Sequence, residues 1–152
     1  MSLDLRRQLV AQLVESSRLL RNFIDHRAKG RGTTRAQWIV LFRLRGQEGL
    51  SQVDLADVLE LQPISLVRLL DRLVEHGLVE RRHDPKDRRA NRLFLTETGR
   101  QLVDDLDSLR NAIATDVLQG VSTASIQTSL DTLRDIKERI KSLADPRDVA
   151  VK

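Results

Sequence analysis

The stretch HDPKDRRANRLFLT, residues 83 to 96, gathers Lys86, Arg88, Arg89 and Arg92 around a proline turn. A guanidinium is a planar fork of donors that stays charged at physiological pH, a shape suited to phosphate oxygens and guanine edges. From Val79 to Arg92 the chain carries six basic residues (Arg81, Arg82, Lys86, Arg88, Arg89, Arg92) and three acidic ones (Glu80, Asp84, Asp87), so this stretch holds +3 of the chain's net +4. Such clustering is the electrostatic footprint expected of a surface that meets phosphates or a minor groove. An arginine on a narrow hairpin tip can enter a minor groove too tight for a helix. Asp87, beside Arg88 and Arg89, is expected to hold that tip through charge-assisted hydrogen bonds that turn one guanidinium outward.

Just upstream, residues 51 to 76 read as a short helix, a tight turn and a longer helix, the order of a helix-turn-helix. On the longer helix Leu66, Leu69, Leu70 and Leu73 share one face, and Ser65, Arg68, Arg72 and Glu75 share the opposite one. The leucines must be core. The polar face is then free to enter a major groove, with the helix start at Pro63, Ile64 and Ser65 nearest to bases or phosphates. A solvated amphipathic helix accounts for the same pattern without nucleic acid. The adjacent basic hairpin is what favours the nucleic-acid reading.

The elements that must position these residues are marked by local signals. Residues 3 to 28 carry apolar positions at Leu9, Leu13, Leu20 and Ile24, with Val10 and Phe23 beside them, on one long helix. A second helix starts near Thr34, with Gln37 at capping-box spacing, and its set Trp38, Ile39, Leu41, Phe42 and Leu44 reads as buried. Ser51 and Asp54 repeat the capping signature, Pro63 suits the first position of the next helix, and Gly77 suits its stop. LVERR and RLFL flank the basic turn and suggest a two-stranded hairpin with a long basic tip. Thr96 caps a further helix with Leu102, Leu106, Leu109 and Ile113 on one stripe. The final helix starts near Ser122 and carries Ile126, Leu130, Leu133, Ile140 and Leu143. ADPRDVAVK reads as a frayed tail.

Composition bounds the rest. At 152 residues, 40% hydrophobic and 3% aromatic, the chain suits one folding unit of helices packed through aliphatic side chains. Arginine outnumbers lysine 21 to 5. Guanidinium recognition favours that bias, although an arginine-rich genome produces the same one. With no cysteine, disulfides, thiolate zinc sites and thiol redox sensing by this chain are excluded. No run approaches the roughly 20 apolar residues of a membrane span, and the N-terminus lacks the pattern of a secretion signal, so a cytoplasmic location is expected. His26, His76 and His83 are scattered, with no metalloenzyme spacing, no Gly-rich phosphate loop and no nucleophile elbow. No enzyme, cofactor or metal is therefore expected. A metal-responsive regulator and a winged helix that binds an acidic protein remain as alternatives.

DPKDRRANRLFLTETG is similar to the wing and following helix start of MarR-type regulators, whose pattern runs Asp-Pro-x-Asp-Arg-Arg, a strand, then Leu-Thr-x-x-Gly. SLVRLLDRLVEHGLVERR resembles the recognition helix and first wing strand of the SlyA branch. The resemblance implies a mainly α chain with a small β-hairpin wing, forming one MarR-type domain over 1–152. Within it, a winged helix-turn-helix DNA-binding lobe (34–100) joins a helical dimerisation lobe (3–28 and 101–144). It also implies a homodimer that regulates transcription at a pseudo-palindromic double-stranded operator, usually as a repressor. Carried onto this sequence, Ser65 and Arg68 resemble the major-groove contacts, with Gln62, Pro63, Ile64 and Arg72 as neighbours. Arg89 resembles the minor-groove arginine, with Lys86, Asp87 and Arg88 nearby. Release by a small aromatic or phenolic ligand between the lobes is a further implication, and here that pocket would draw on Phe23, His26, Trp38 and Phe42. The lack of cysteine departs from the peroxide-sensing branch.

Overall fold

A computed structural model describes residues 2–144; of the expected frayed tail, 144–152, Ala144 closes the last helix and the rest lies outside the described residues. The elements run α1 (Ser2–Arg27), α2 (Arg35–Gly46), α3 (Gln52–Leu59), α4 (Pro63–Glu75), β1 (Val79–Asp84), β2 (Asp87–Leu95), α5 (Glu97–Val117) and α6 (Thr123–Ala144). This is the expected class, mainly helical with one antiparallel hairpin.

Local chemistry sets most boundaries. Thr34 and Gln37 form a complete capping box: the Gln37 amide donates to the Thr34 hydroxyl, and the Thr34 amide donates to the Gln37 side chain at 3.0 Å. The Ser51 hydroxyl accepts from the Asp54 amide at 3.0 Å and starts α3. Between α3 and α4 the chain turns at Glu60, whose φ of 54° is the one positive value of a non-glycine among the described residues. Pro63 takes the first position of α4, and Gly77, at φ 71°, follows its end. Helix α2 departs from expectation at Ile39, which is 53% exposed, while Val40 is fully buried. A contiguous apolar run hides its helical phase: Gln37, Trp38, Leu41 and Leu44 share the inward stripe with Val40, and Ile39 lies opposite.

The hairpin is tighter than the sequence implied. Its strands pair in regular antiparallel register from Val79 opposite Leu95 to His83 opposite Asn91, and the next pair is Asp84 opposite Asp87. The long basic turn is therefore a two-residue connection, Pro85 and Lys86. Arg88, Arg89 and Ala90 fall in a bulge of β2 with no opposed residue on β1.

The described residues divide into two compact units at Ile113 and Ala114. In the first, Leu41, Leu44, Leu55, Leu66, Leu70, Leu73, Val79, Leu93, Val103 and Leu106 form a single aliphatic core, each all but sealed from solvent. Burying one such side chain contributes on the order of 1.5 to 3 kcal/mol, so the leucine stripe of α4 fixes which way that helix faces. On α1, Ile24 packs against this core, whereas Leu5, Leu9, Val10, Val14 and Leu20 stay exposed. In the second unit, α6 has no buried residue; Ile126 is half-covered and Leu130, Leu133, Ile140 and Leu143 are exposed.

The hairpin joins α5 through a tight junction. The Thr96 amide donates to the Leu78 carbonyl at 3.1 Å, the Thr96 hydroxyl donates to the Gly77 carbonyl at 2.6 Å, and the Gly99 amide donates to the Thr96 hydroxyl at 3.0 Å. Gly99 is buried, and a Cβ there would collide with the Leu78 carbonyl oxygen. Replacing a helical glycine by alanine ordinarily stabilises by up to about 1 kcal/mol. Here the sign reverses: Gly99→Ala is expected to cost at least roughly 2 kcal/mol by overpacking against rigid backbone. Gly46→Ala, at an open site with nothing near the new methyl, is expected to be neutral or stabilising. Urea denaturation of both variants checks the contrast.

Candidate nucleic-acid interface

With Leu66, Leu70 and Leu73 inward, the helical repeat places Ile64, Arg68, Asp71 and Glu75 on the opposite side of α4, with Ser65 and Arg72 beside them. Gln62 precedes Pro63 as the N-cap and makes no side-chain capping bond, leaving its amide free at the start of the helix. Ile64, Ser65, Arg68 and Arg72 are all exposed. On the hairpin, Lys86 sits in the two-residue turn, and Arg88 and Arg89 project from the bulge rather than from the tip itself.

Hydrogen bonding explains why the two aspartates flank that turn. The Asp84 carboxylate accepts from the Lys86 amide at 2.9 Å and from Arg92 Nε at 3.1 Å. Asp87 accepts from the Arg89 amide at 2.9 Å, so its partner is backbone where a guanidinium was expected. Each carboxylate thus satisfies an N–H that the interrupted ladder leaves without a carbonyl.

The arginines separate into two groups. Arg81 donates to Gln52 at 2.8 Å and to Asp71 at 2.6 Å, tying β1 to both helices of the helix-turn-helix. Arg82 pairs with Glu80 and lies 4.0 Å over the Phe94 ring. Arg92 holds Asp84 and also the Gly49 carbonyl, at 2.9 Å. Arg100 and Arg45 bridge to Glu48 and to Asp104 and Asp107. By contrast, the side chains of Arg68, Arg72, Lys86, Arg88 and Arg89 have no ion-pair or hydrogen-bond partner among the described residues. On α4 and the hairpin, the cations left without an internal partner are those that sequence reasoning singled out. It missed the anchoring roles of Arg81, Asp84 and Arg92, whose partners are remote in sequence or masked by a charged run.

Of the four residues expected to form an effector pocket, Trp38 alone lines the described cleft. Trp38 is buried, its Nε1 donating to the Thr33 hydroxyl at 2.6 Å. Phe42 is half-buried beneath Arg110, 4.2 Å from its ring, while Phe23 and His26 are exposed on α1. An open cleft of about 740 Å³ is lined by Trp38 alone of these four, together with Lys29, Thr33, Arg35, Arg72 and His76. Arg35 Nη1 is buried there without a hydrogen-bond partner, and its Nη2 lies 3.8 Å from Asp25. Among the described residues no group of three or more His, Asp or Glu side chains could hold a metal ion, and no helix is long and apolar enough to cross a membrane.

A helix-turn-helix followed by a hairpin, with unpartnered cations on both, defines a winged helix-turn-helix protein. Comparison with known proteins shows what this fold and site resemble. Residues 33–90 match the MarR family model. Among solved structures the chain is similar to a MarR transcriptional regulator from Methanosarcina mazei (26% identity, TM-score 0.73, covering 88% of this chain and 99% of that one). It is also similar to a MarR-family regulator from a Rhodococcus species (28%, 0.74, 87% and 94%). The transcriptional regulator SlyA shares the fold at 22% identity (0.77, 88% and 94%). Over residues 33–90 the chain is thus similar to the MarR family, and its winged-helix fold is that of solved MarR-type transcriptional regulators.

The Lys86 amide, then the charge of Arg92, hold the Asp84 carboxyl below its ordinary value of 3.8 against the opposing effect of burial. A depressed native value means that this carboxylate's contribution to stability is complete above the ordinary value and is lost as pH falls through the lowered one. A carboxyl-carbon NMR titration is therefore expected to place the Asp84 midpoint below that of an unfolded aspartate. A midpoint at or above it would contradict the anchoring role.

Proposed function

We propose that the chain acts as a homodimeric, sequence-specific DNA-binding regulator, a repressor released by a small aromatic or phenolic anion. The observation that carries the DNA reading is the sorting of cations. Arg81, Arg82 and Arg92 are consumed in holding the hairpin, whereas Arg68, Arg88, Arg89 and Lys86 are left exposed without internal partners on the two elements of a winged helix. In this reading Ser65 and Arg68, with Gln62, Pro63, Ile64 and Arg72 around them, meet a major groove. Arg89, with Lys86 and Arg88, meets the neighbouring minor groove, and Asp87 holds the bulge that presents them.

Dimerisation through the N- and C-terminal helices accounts for the apolar side chains left exposed along α1 and, separately, along α6. The lobes are then 34–100 for DNA and 3–28 with 101–144 for pairing. Two-fold pairing places two copies of α4 in successive major grooves, about 34 Å apart, and calls for a pseudo-palindromic operator. Effector capture is assigned to the Trp38 cleft, where Lys29, Arg35, Arg72 and His76 face the single carboxylate of Asp25 in the lining. Arg72 and His76 belong to the end of α4, so an anion held there acts on the same helix that reads DNA. Phe23, His26 and Phe42 have no part in this cleft.

Arg89→Ala is expected to weaken operator binding by roughly 1 to 3 kcal/mol while sedimentation still reports a dimer. Arg82→Ala, which removes a paired arginine, is expected to have the smaller effect. Operator affinity should fall by orders of magnitude between low and physiological salt. Unchanged affinity of the Arg89 variant in a fluorescence anisotropy titration refutes its contact. Trp38 is the chain's one tryptophan, so intrinsic fluorescence reports the cleft directly. Benzoate is expected to perturb that emission saturably and to lose its effect in Arg35→Ala; an unresponsive spectrum removes the cleft as the effector site.

A further inference from the structure

Ile64 is 67% exposed in the first turn of α4, on the face opposite the buried leucines. That is the position where an amphipathic helix ordinarily carries a polar group. A lone exposed aliphatic side chain is common on protein surfaces and by itself means little. What separates Ile64 from that background is its company. Val67, 37% exposed, borders the leucine stripe, and the residues that share the outward face with Ile64 are charged: Arg68, one turn further on, has no internal partner, and the Asp71 carboxylate is engaged by Arg81 at 2.6 Å. Residues four apart on a helix stand about 5 to 6 Å from one another, and helical side chains lean toward the N-terminus, so Ile64 leads and Arg68 follows along one line.

A major groove offers an aliphatic side chain one apolar feature, the C5 methyl group of thymine. Guanine offers the O6 and N7 acceptors that match a guanidinium. Successive base pairs rise by about 3.4 Å, so two side chains with the spacing of Ile64 and Arg68 address bases one to two steps apart.

The geometry points to Ile64 as a specificity-determining residue that packs on the thymine methyl of a T·A pair, within two base pairs of the guanine taken by Arg68 in each half-site. This inference rests on the DNA-binding regulator proposed above. It adds a requirement which that reading does not contain: one thymine per half-site is read through its methyl group and not through hydrogen bonds. Ile64 then adds discrimination for thymine to that of Arg68 for guanine, and the other unpartnered cations contribute general affinity for the backbone.

The test replaces thymine by deoxyuridine, which removes that methyl and nothing else. The probe is a fluorescein-labelled duplex recovered by the full chain from a synthetic randomised pool, in which thymine is the one base carrying the methyl. Each half-site thymine is exchanged in turn, and affinity is read by anisotropy. One position near the Arg68-dependent guanine is expected to lose roughly three- to fivefold, the worth of one buried methyl group. Ile64→Ala is expected to bind the unmodified duplex more weakly by a similar factor and to be indifferent to deoxyuridine there. Ile64→Val, which keeps a branched aliphatic surface, should retain the sensitivity, and circular dichroism checks that all variants fold. A flat deoxyuridine scan on an enriched, palindromic sequence overturns the role of Ile64 and leaves the regulator standing. Full deoxyuridine sensitivity in Ile64→Ala overturns it as well, and a pool that yields no enriched sequence overturns both proposals together.

Discussion

The burial of Leu66, Leu70 and Leu73 is the constraint on which the candidate interface depends. These side chains are sealed in the aliphatic core, and a helix anchored along one stripe has a single direction in which its other side chains can point. Rotating α4 by one residue would expose a leucine and bury an arginine, each a cost of several kcal/mol with no compensating partner. The outward presentation of Ser65, Arg68 and Arg72 therefore follows from apolar packing. Electrostatics adds the Arg81–Asp71 pair, which ties the outward face of α4 to the hairpin.

Electrostatics does set the shape of the hairpin. Most of its charge is spent internally: Arg81 reaches α3 and α4, Arg92 reaches the loop after α2, and Asp84 gathers Arg92 and the turn backbone. Exposed ion pairs contribute little to stability individually, about 0 to 1 kcal/mol. Their weight here is positional, because they span the hairpin and three separate parts of the chain. A net charge of +3 over fourteen residues is thus a poor guide to how many cations face outward. The hydrogen-bond partners decide that number, and they select Lys86, Arg88 and Arg89.

The extent to which the fold was legible in the sequence follows from the range of the interactions involved. Helix starts at Thr34, Ser51 and Thr96 are readable because each cap lies within three residues of its partner, and the start at Pro63 because proline suits a first helical position. The leucine stripe of α4 was readable because its period is regular. Ile39 was misplaced because an unbroken apolar run carries no phase, and only the contacts made by Val40 and Leu41 reveal it. The bulge at Arg88 to Ala90 was hidden because charged residues give no strand signal, and the two Asp-to-amide bonds that stabilise it look like ordinary acidic punctuation. Trp38, Phe42, Phe23 and His26 share a chemical type, and type says nothing of location; of the four, Trp38 alone lines the described cleft.

The junction at Gly99 has a mechanical consequence. Because the Leu78 carbonyl abuts this glycine and accepts from the Thr96 amide, the first turn of α5 and the root of the hairpin form one weld without slack. The start of α5 and the hairpin root therefore keep one fixed spacing, set by backbone groups that leave no room for a side chain between them.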